Sequence, residues 1–90
     1  MLETVVENTL KRECKKRFAF CIKSETLTKG FPDRMVLAPS GKIAFVELKR
    51  PGTKLMRAQR MWRQRLRILG FEAVKLDSPE EVKAWAQEFL

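Results

Sequence analysis

The chain has 90 residues, 44% of them hydrophobic, with four glycines and four prolines, so it holds enough apolar mass for one small domain spanning residues 1–90 and too little Gly and Pro for a fibrous or disordered polymer. Nineteen Lys and Arg against eleven Asp and Glu give a net charge of +8, which calls for a polyanionic partner, nucleic acid first. There is no histidine, which excludes His-based catalysis and His-completed zinc sites, and no apolar run is long enough to cross a membrane.

In chain order, Leu2 to about Arg17 carries Leu2, Val5, Val6, Leu10 and Cys14 at the three-four spacing of an amphipathic helix. Phe18 to Lys23 reads as a strand, and Ser24 to Pro32, rich in Ser, Thr and Gly with no period, reads as a loop. Asp33 to Ala38 and Lys42 to Lys49 are strands joined by Pro39-Ser40-Gly41, with Pro suited to the first turn position and Gly to the left-handed one. Pro51-Gly52 stops the second of these strands, and Thr53 is expected to cap a helix running to about Leu69 and ending at Gly70. Glu72 to Leu76 is a short strand, and Ser78-Pro79-Glu80-Glu81 opens a last helix that buries Val82, Trp85 and Phe89 or Leu90. The expected order is αβββαβα in an α/β fold. Cys14 and Cys21, without metal-binding spacing or an export signal, read as free, small apolar residues in a reducing, cytoplasmic protein.

The three-residue loop sets the hairpin register: Ala38 faces Lys42, Leu37 faces Ile43, and each facing pair of numbers sums to 80, so Asp33 faces Glu47. Directly opposed carboxylates repel, and a positive charge is expected between them. Alternation puts Phe45, Glu47 and Lys49 on one face of the second strand and Ala44, Val46 and Leu48 on the other. Asp33, Glu47 and the backbone carbonyl of Leu48 are hard oxygen donors of the kind Mg²⁺ or Mn²⁺ takes, and Lys49 beside them can activate water or stabilise phosphorane charge.

Gly30-Phe31-Pro32-Asp33, Phe45-Val46-Glu47-Leu48-Lys49 and the downstream helix with Gln59 resemble the PD-(D/E)xK nuclease superfamily, and more closely its virus-type replication-repair nuclease branch, the VRR-NUC domain. The resemblance implies a restriction-endonuclease-like core with a central mixed sheet flanked by helices, and Mg²⁺ or Mn²⁺ dependence. It also implies action on branched or flapped DNA in repair, recombination or replication. By matching motif, Asp33 and Glu47 would be metal ligands, Lys49 the catalytic lysine and Gln59 a supporting residue. Glu7, on the apolar side of the first helix, is similar to the family's further metal-site glutamate; it also has Lys11 one turn on as an ordinary partner, and Glu3 is the alternate acid.

From Leu48 to Phe71 the chain has no acid and eight bases: Lys49, Arg50, Lys54, Arg57, Arg60, Arg63, Arg65 and Arg67. That block reads as a phosphate-binding surface, with Arg50, Lys54, Arg57, Arg60, Arg63 and Arg67 as DNA contacts and with Leu55, Ala58, Trp62, Leu66 and Leu69 as the helix's core stripe. Met61 and Ile68, turned away from that stripe, suggest an apolar patch for a twofold homodimer. The sequence thus predicts a metal-dependent DNA endonuclease. The alternative class is a non-catalytic basic module that binds DNA or RNA within a larger assembly.

Overall fold

A computed structural model describes residues 2–90. Helix α1 (Glu3–Lys16) leads into β1 (Phe20–Lys23), β2 (Arg34–Ala38) and β3 (Lys42–Leu48), followed by α2 (Arg57–Ile68), β4 (Glu72–Leu76) and α3 (Pro79–Phe89). The expected element order holds. The four strands form one sheet in the order β1-β2-β3-β4, antiparallel across the first two pairs and parallel between β3 and β4, with α2 carrying the crossover.

The β2–β3 register runs from Ala38 opposite Lys42 to Arg34 opposite Val46, the sum-of-80 pairing that the loop length demands. Both Ser40 (φ 68°) and Gly41 (φ 74°) take the left-handed conformation in the turn, one residue more than expected. Strand β3 then feeds two cores by simple alternation. Ala44, Val46 and Leu48 join Val6, Leu10, Val82 and Ala86 under α1 and α3, whereas Phe45 joins Leu66 and Ala73 under α2. The second cluster is aromatic: Phe31 meets Phe45 and Trp62 edge-on at 5.6 and 5.1 Å, and Phe71 meets Phe45 at 5.3 Å.

Three local expectations are corrected. Phe18 does not enter β1; it sits in a left-handed turn (φ 59°) closed by the Ala19 N–H on the Cys14 carbonyl, with its ring in solvent. Helix α2 begins at Arg57 instead of at a Thr53 cap, because the Gln59 side chain, through Oε1, accepts the Met56 N–H at 2.8 Å and starts the helix there. The stripe drawn through Leu55 and Leu69 also fails: Leu55 precedes the helix and Leu69 lies past its last turn, 72% exposed, so that Leu66 is the only buried residue of α2. At α3 the expected cap is present, with Ser78 Oγ accepting the Glu81 N–H.

Candidate active site

Strand β3 delivers Glu47 and Lys49 to the α2 side of the sheet, and the neck of the 24–33 loop delivers Asp33. Ser24 closes that neck twice, its N–H donating to the Asp33 carbonyl at 2.8 Å and its buried hydroxyl to the Pro32 carbonyl at 2.7 Å. Asp33 Oδ2 in turn accepts the Leu48 N–H at 2.9 Å, which fixes the aspartate beside the β3 strand end. The next amide, Lys49 N–H, donates the other way, to Leu76 of β4. Since the N–H and C=O of one strand residue point to the same side, the Leu48 carbonyl is turned toward Asp33.

Glu47 is 5% exposed, and its two oxygens differ. Oε2 accepts Gln59 Nε2 at 3.0 Å and lies 3.9 Å from Lys49 Nζ. Oε1 is buried with no hydrogen-bond partner among the described residues. Burial and then the neighbouring Asp33 charge push Glu47 up to about 8, and Asp33 is raised by burial. Without a cation, burial therefore favours the protonated form of Glu47. A buried, unpaired carboxylate oxygen beside a second carboxylate and an inward carbonyl is a hard-donor set that a divalent cation fits, with waters completing its shell. Among the described residues no three acids or cysteines are grouped closely enough to hold a metal by themselves.

Gln59 links helix to site, since one amide starts α2 through Oε1 and holds Glu47 through Nε2. The residue that Gln59 supports is thus the glutamate. Glu7 is engaged on the other side of the sheet. Arg34, 8% exposed on the face opposite Asp33, takes the Glu7 carboxylate at 2.9 Å, and Lys11 takes it at 3.2 Å. Burial works against the Glu7 charge, but the hydrogen bonds from Arg34 and Lys11 outweigh it and lower its pKa. Glu7 thus serves the α1–β2 junction.

Sequence reasoning missed two residues of the 24–33 loop. Glu25, which pairs with Lys23 at 3.3 Å, is a further negative charge toward Asp33 and helps raise its pKa. Gly30 (φ 82°) lies so close under α2 that a Cβ there would sit 2.6 Å from Ala58 Cβ and 2.7 Å from its carbonyl carbon, one residue before Gln59. The positive φ required of a Gly in Gly30-Phe31-Pro32-Asp33 was readable; the helix resting on it was not.

The VRR-NUC domain pattern matches residues 1–79. The chain belongs to the VRR-NUC family. A solved VRR-NUC domain superposes on it with a TM-score of 0.90 at 26% identity, covering 98% of this chain and 97% of the other. "Putative nuclease p44" of Acyrthosiphon pisum secondary endosymbiont phage 1 is 46% identical over 52 residues, 58% of this chain. That match spans 56% of the phage protein, little more than half its length. The VRR-NUC assignment supports a nuclease, with the fold that the sequence predicted.

The basic block of this VRR-NUC domain surrounds α2. Arg50, Lys54, Arg57, Arg60 and Arg67 are exposed, and no base from Arg50 to Arg67 pairs with an acid among the described residues. Arg60, Arg63 and Arg67 line one surface cavity with Gln64 and Ile68. Two of them are partly engaged, Arg60 donating to the Leu55 carbonyl at 2.7 Å and Arg63 to the Ala73 carbonyl at 3.3 Å. Trp62 packs beside Phe31, with Arg65 5.3 Å over its ring. No helix among the described residues is long and apolar enough to cross a membrane.

Proposed function

We propose that the chain is a Mg²⁺- or Mn²⁺-dependent endonuclease that hydrolyses phosphodiester bonds in branched or flapped DNA, in the manner of a Holliday-junction resolvase. The observation that carries this reading is the pairing of Asp33 with Glu47, whose Oε1 is buried and unpartnered next to Lys49. At such a site Mg²⁺ or Mn²⁺ supplies Lewis-acid polarisation of the phosphodiester and acidification of the attacking water. Asp33, Glu47 and the Leu48 carbonyl would hold the cation. Gln59 keeps Glu47 Oε2 engaged, leaving Oε1 as the free ligand. Lys49, close to Glu47 but not a cation ligand, orients the attacking water or stabilises the charge that develops on phosphorus. Glu7 has no part in this set, being held by Arg34 and Lys11.

Arg50, Lys54, Arg57, Arg60, Arg63 and Arg67 are the proposed contacts to flanking phosphates, and they position DNA without reading sequence. One chain carries one such site, so cutting two strands of a junction needs two copies. Met61 (42% exposed) and Ile68 (75% exposed) leave an apolar seam on α2 for that homodimer, between the two basic surfaces. The proposed setting is the cytoplasm, in repair, recombination or replication.

The test is incubation of pure protein with labelled linear, flapped and four-way DNA, with Mg²⁺, Mn²⁺ or chelator. Cleavage of the branched substrates only with metal, lost in Lys49→Ala, is the expected result. Binding that persists in the Asp33→Asn, Glu47→Gln double variant, without cleavage under any metal by the wild type, would instead identify a non-catalytic basic module. Light scattering should give twice the chain mass, shifted toward monomer by Met61→Asp with Ile68→Asp.

A further inference from the structure

The turn between α1 and β1 does more than reverse the chain. Cys14 ends the buried side of α1 at 1% exposure, and Cys21, two residues into β1, packs against the same core cluster. The Ala19 N–H on the Cys14 carbonyl tightens the turn and brings the strand back onto the helix. Both cysteines are free thiols, and both line one surface cavity together with Lys11, Lys15, Phe18 and Phe20. That cavity lies on the α1 side, away from Asp33 and Glu47.

We propose that Cys14 and Cys21 are a reversible oxidation site, closing to an intramolecular disulfide when a peroxide enters the cavity between α1 and β1. The two sulfurs are unequal. Cys14 is driven to keep its proton by the hydrogen bond it shares with Cys21 and by burial, whereas that hydrogen bond, with the charges of Arg34 and Lys11, lowers the pKa of Cys21. Cys21 is also the more accessible of the two. It is therefore the attacking thiolate, and Cys14 the resolving thiol. Cys21 sulfur takes one peroxide oxygen as the O–O bond breaks, giving the sulfenic acid and hydroxide, which leaves as water after protonation. Cys14 sulfur then attacks the sulfenic sulfur, the S–O bond breaks, and a second water carries away the oxygen and the Cys14 proton. The two sulfurs lose two electrons together and hydrogen peroxide gains them. In a reducing compartment such a bond is transient and is reopened by thiol exchange.

The experiment treats dilute, reduced wild-type protein with hydrogen peroxide, then denatures it, alkylates it with iodoacetamide and weighs it intact. The expected product is a monomer lighter by two hydrogens that takes up no alkyl group, and dithiothreitol restores two alkylations. Cys14→Ala should leave Cys21 as a sulfenic acid that dimedone traps, and Cys21→Ser should leave Cys14 alkylatable after the same exposure. Wild type that retains two alkylatable thiols, forms only disulfide-linked dimers, or carries sulfinic or sulfonic acid on Cys21 with Cys14 free would overturn the proposal. The wild-type measurement decides even where a variant does not fold.

Discussion

The two faces of the sheet are built to different standards. Under α1 and α3, Val6, Leu10, Val46, Val82 and Ala86 are 0% exposed, and the one buried cation there, Arg34, has Glu7 as counter-charge. Under α2 the buried apolar residues are Phe45, Leu66 and Ala73, and Ile68 and Leu69 stand 75% and 72% exposed. The candidate site lies on this second face, where Glu47 has an unsatisfied buried oxygen. One face thus supplies stability, and the other tolerates the desolvated acids and the open surface that binding a polyanion needs.

The sharpest way to test that division is to remove chemistry from the second face without touching the first. Lys49→Ala and Glu47→Gln should each lower cleavage by about 10²–10⁴-fold; the melting temperature should hold in Lys49→Ala and, without metal at neutral pH and above, rise in Glu47→Gln, which removes a buried charge. Single-turnover rates beside a thermal scan check this, and a variant cutting near the wild-type rate breaks the assignment. The mirror experiment is Leu10→Ala against Leu69→Ala in chemical denaturation. The first should cost about 2–5 kcal/mol and the second within about 0.5 kcal/mol. Equal costs would mean that the two faces are not unequal after all.

The acids sharpen the comparison through pH. Glu47 releases its proton near 4.5 in the unfolded chain and only at about 8 in the metal-free fold, so unfolding releases a proton between those values and stability falls as pH rises across that window. Metal-free protein should therefore melt lower at pH 8 than at pH 5, by a free-energy difference of about a few kcal/mol, and Glu47→Gln should flatten that slope. A wild-type slope that survives the substitution would locate the titration elsewhere.

Two smaller effects concern how each face is held. Gly30→Ala puts a Cβ into Ala58 and forces a positive φ on alanine, which should cost about 1–3 kcal/mol and weaken cleavage by displacing Gln59 from Glu47. Restored activity in that variant would show that α2 can shift without consequence. Glu7→Gln, on the closed face, should cost about 1–2 kcal/mol by leaving Arg34 without its counter-charge, yet keep metal-dependent cleavage. Loss of cleavage with an unchanged melting temperature would return Glu7 to the active site.

Much of the site was legible because it depends on rules that act along a few residues. A three-residue loop sets a register, that register runs as far as Arg34 opposite Val46 and brings Asp33 to the end of β3, and a period of two sends Phe45 to one face and Val46 and Leu48 to the other. Motifs of that local kind also carried the family. What only the tertiary structure decided are pairings between segments that no local period connects: Glu7 with Arg34, Gln59 with Glu47, Gly30 beneath Ala58, and Cys14 with Cys21 along one cavity. Even the start of α2 belongs to this class in part, because the Gln59 amide that opens the helix is held at its other end by a strand residue twelve positions away. The strength of each pairing depends on which segments are packed together and how much water that packing excludes, and neither is encoded in spacing along the chain.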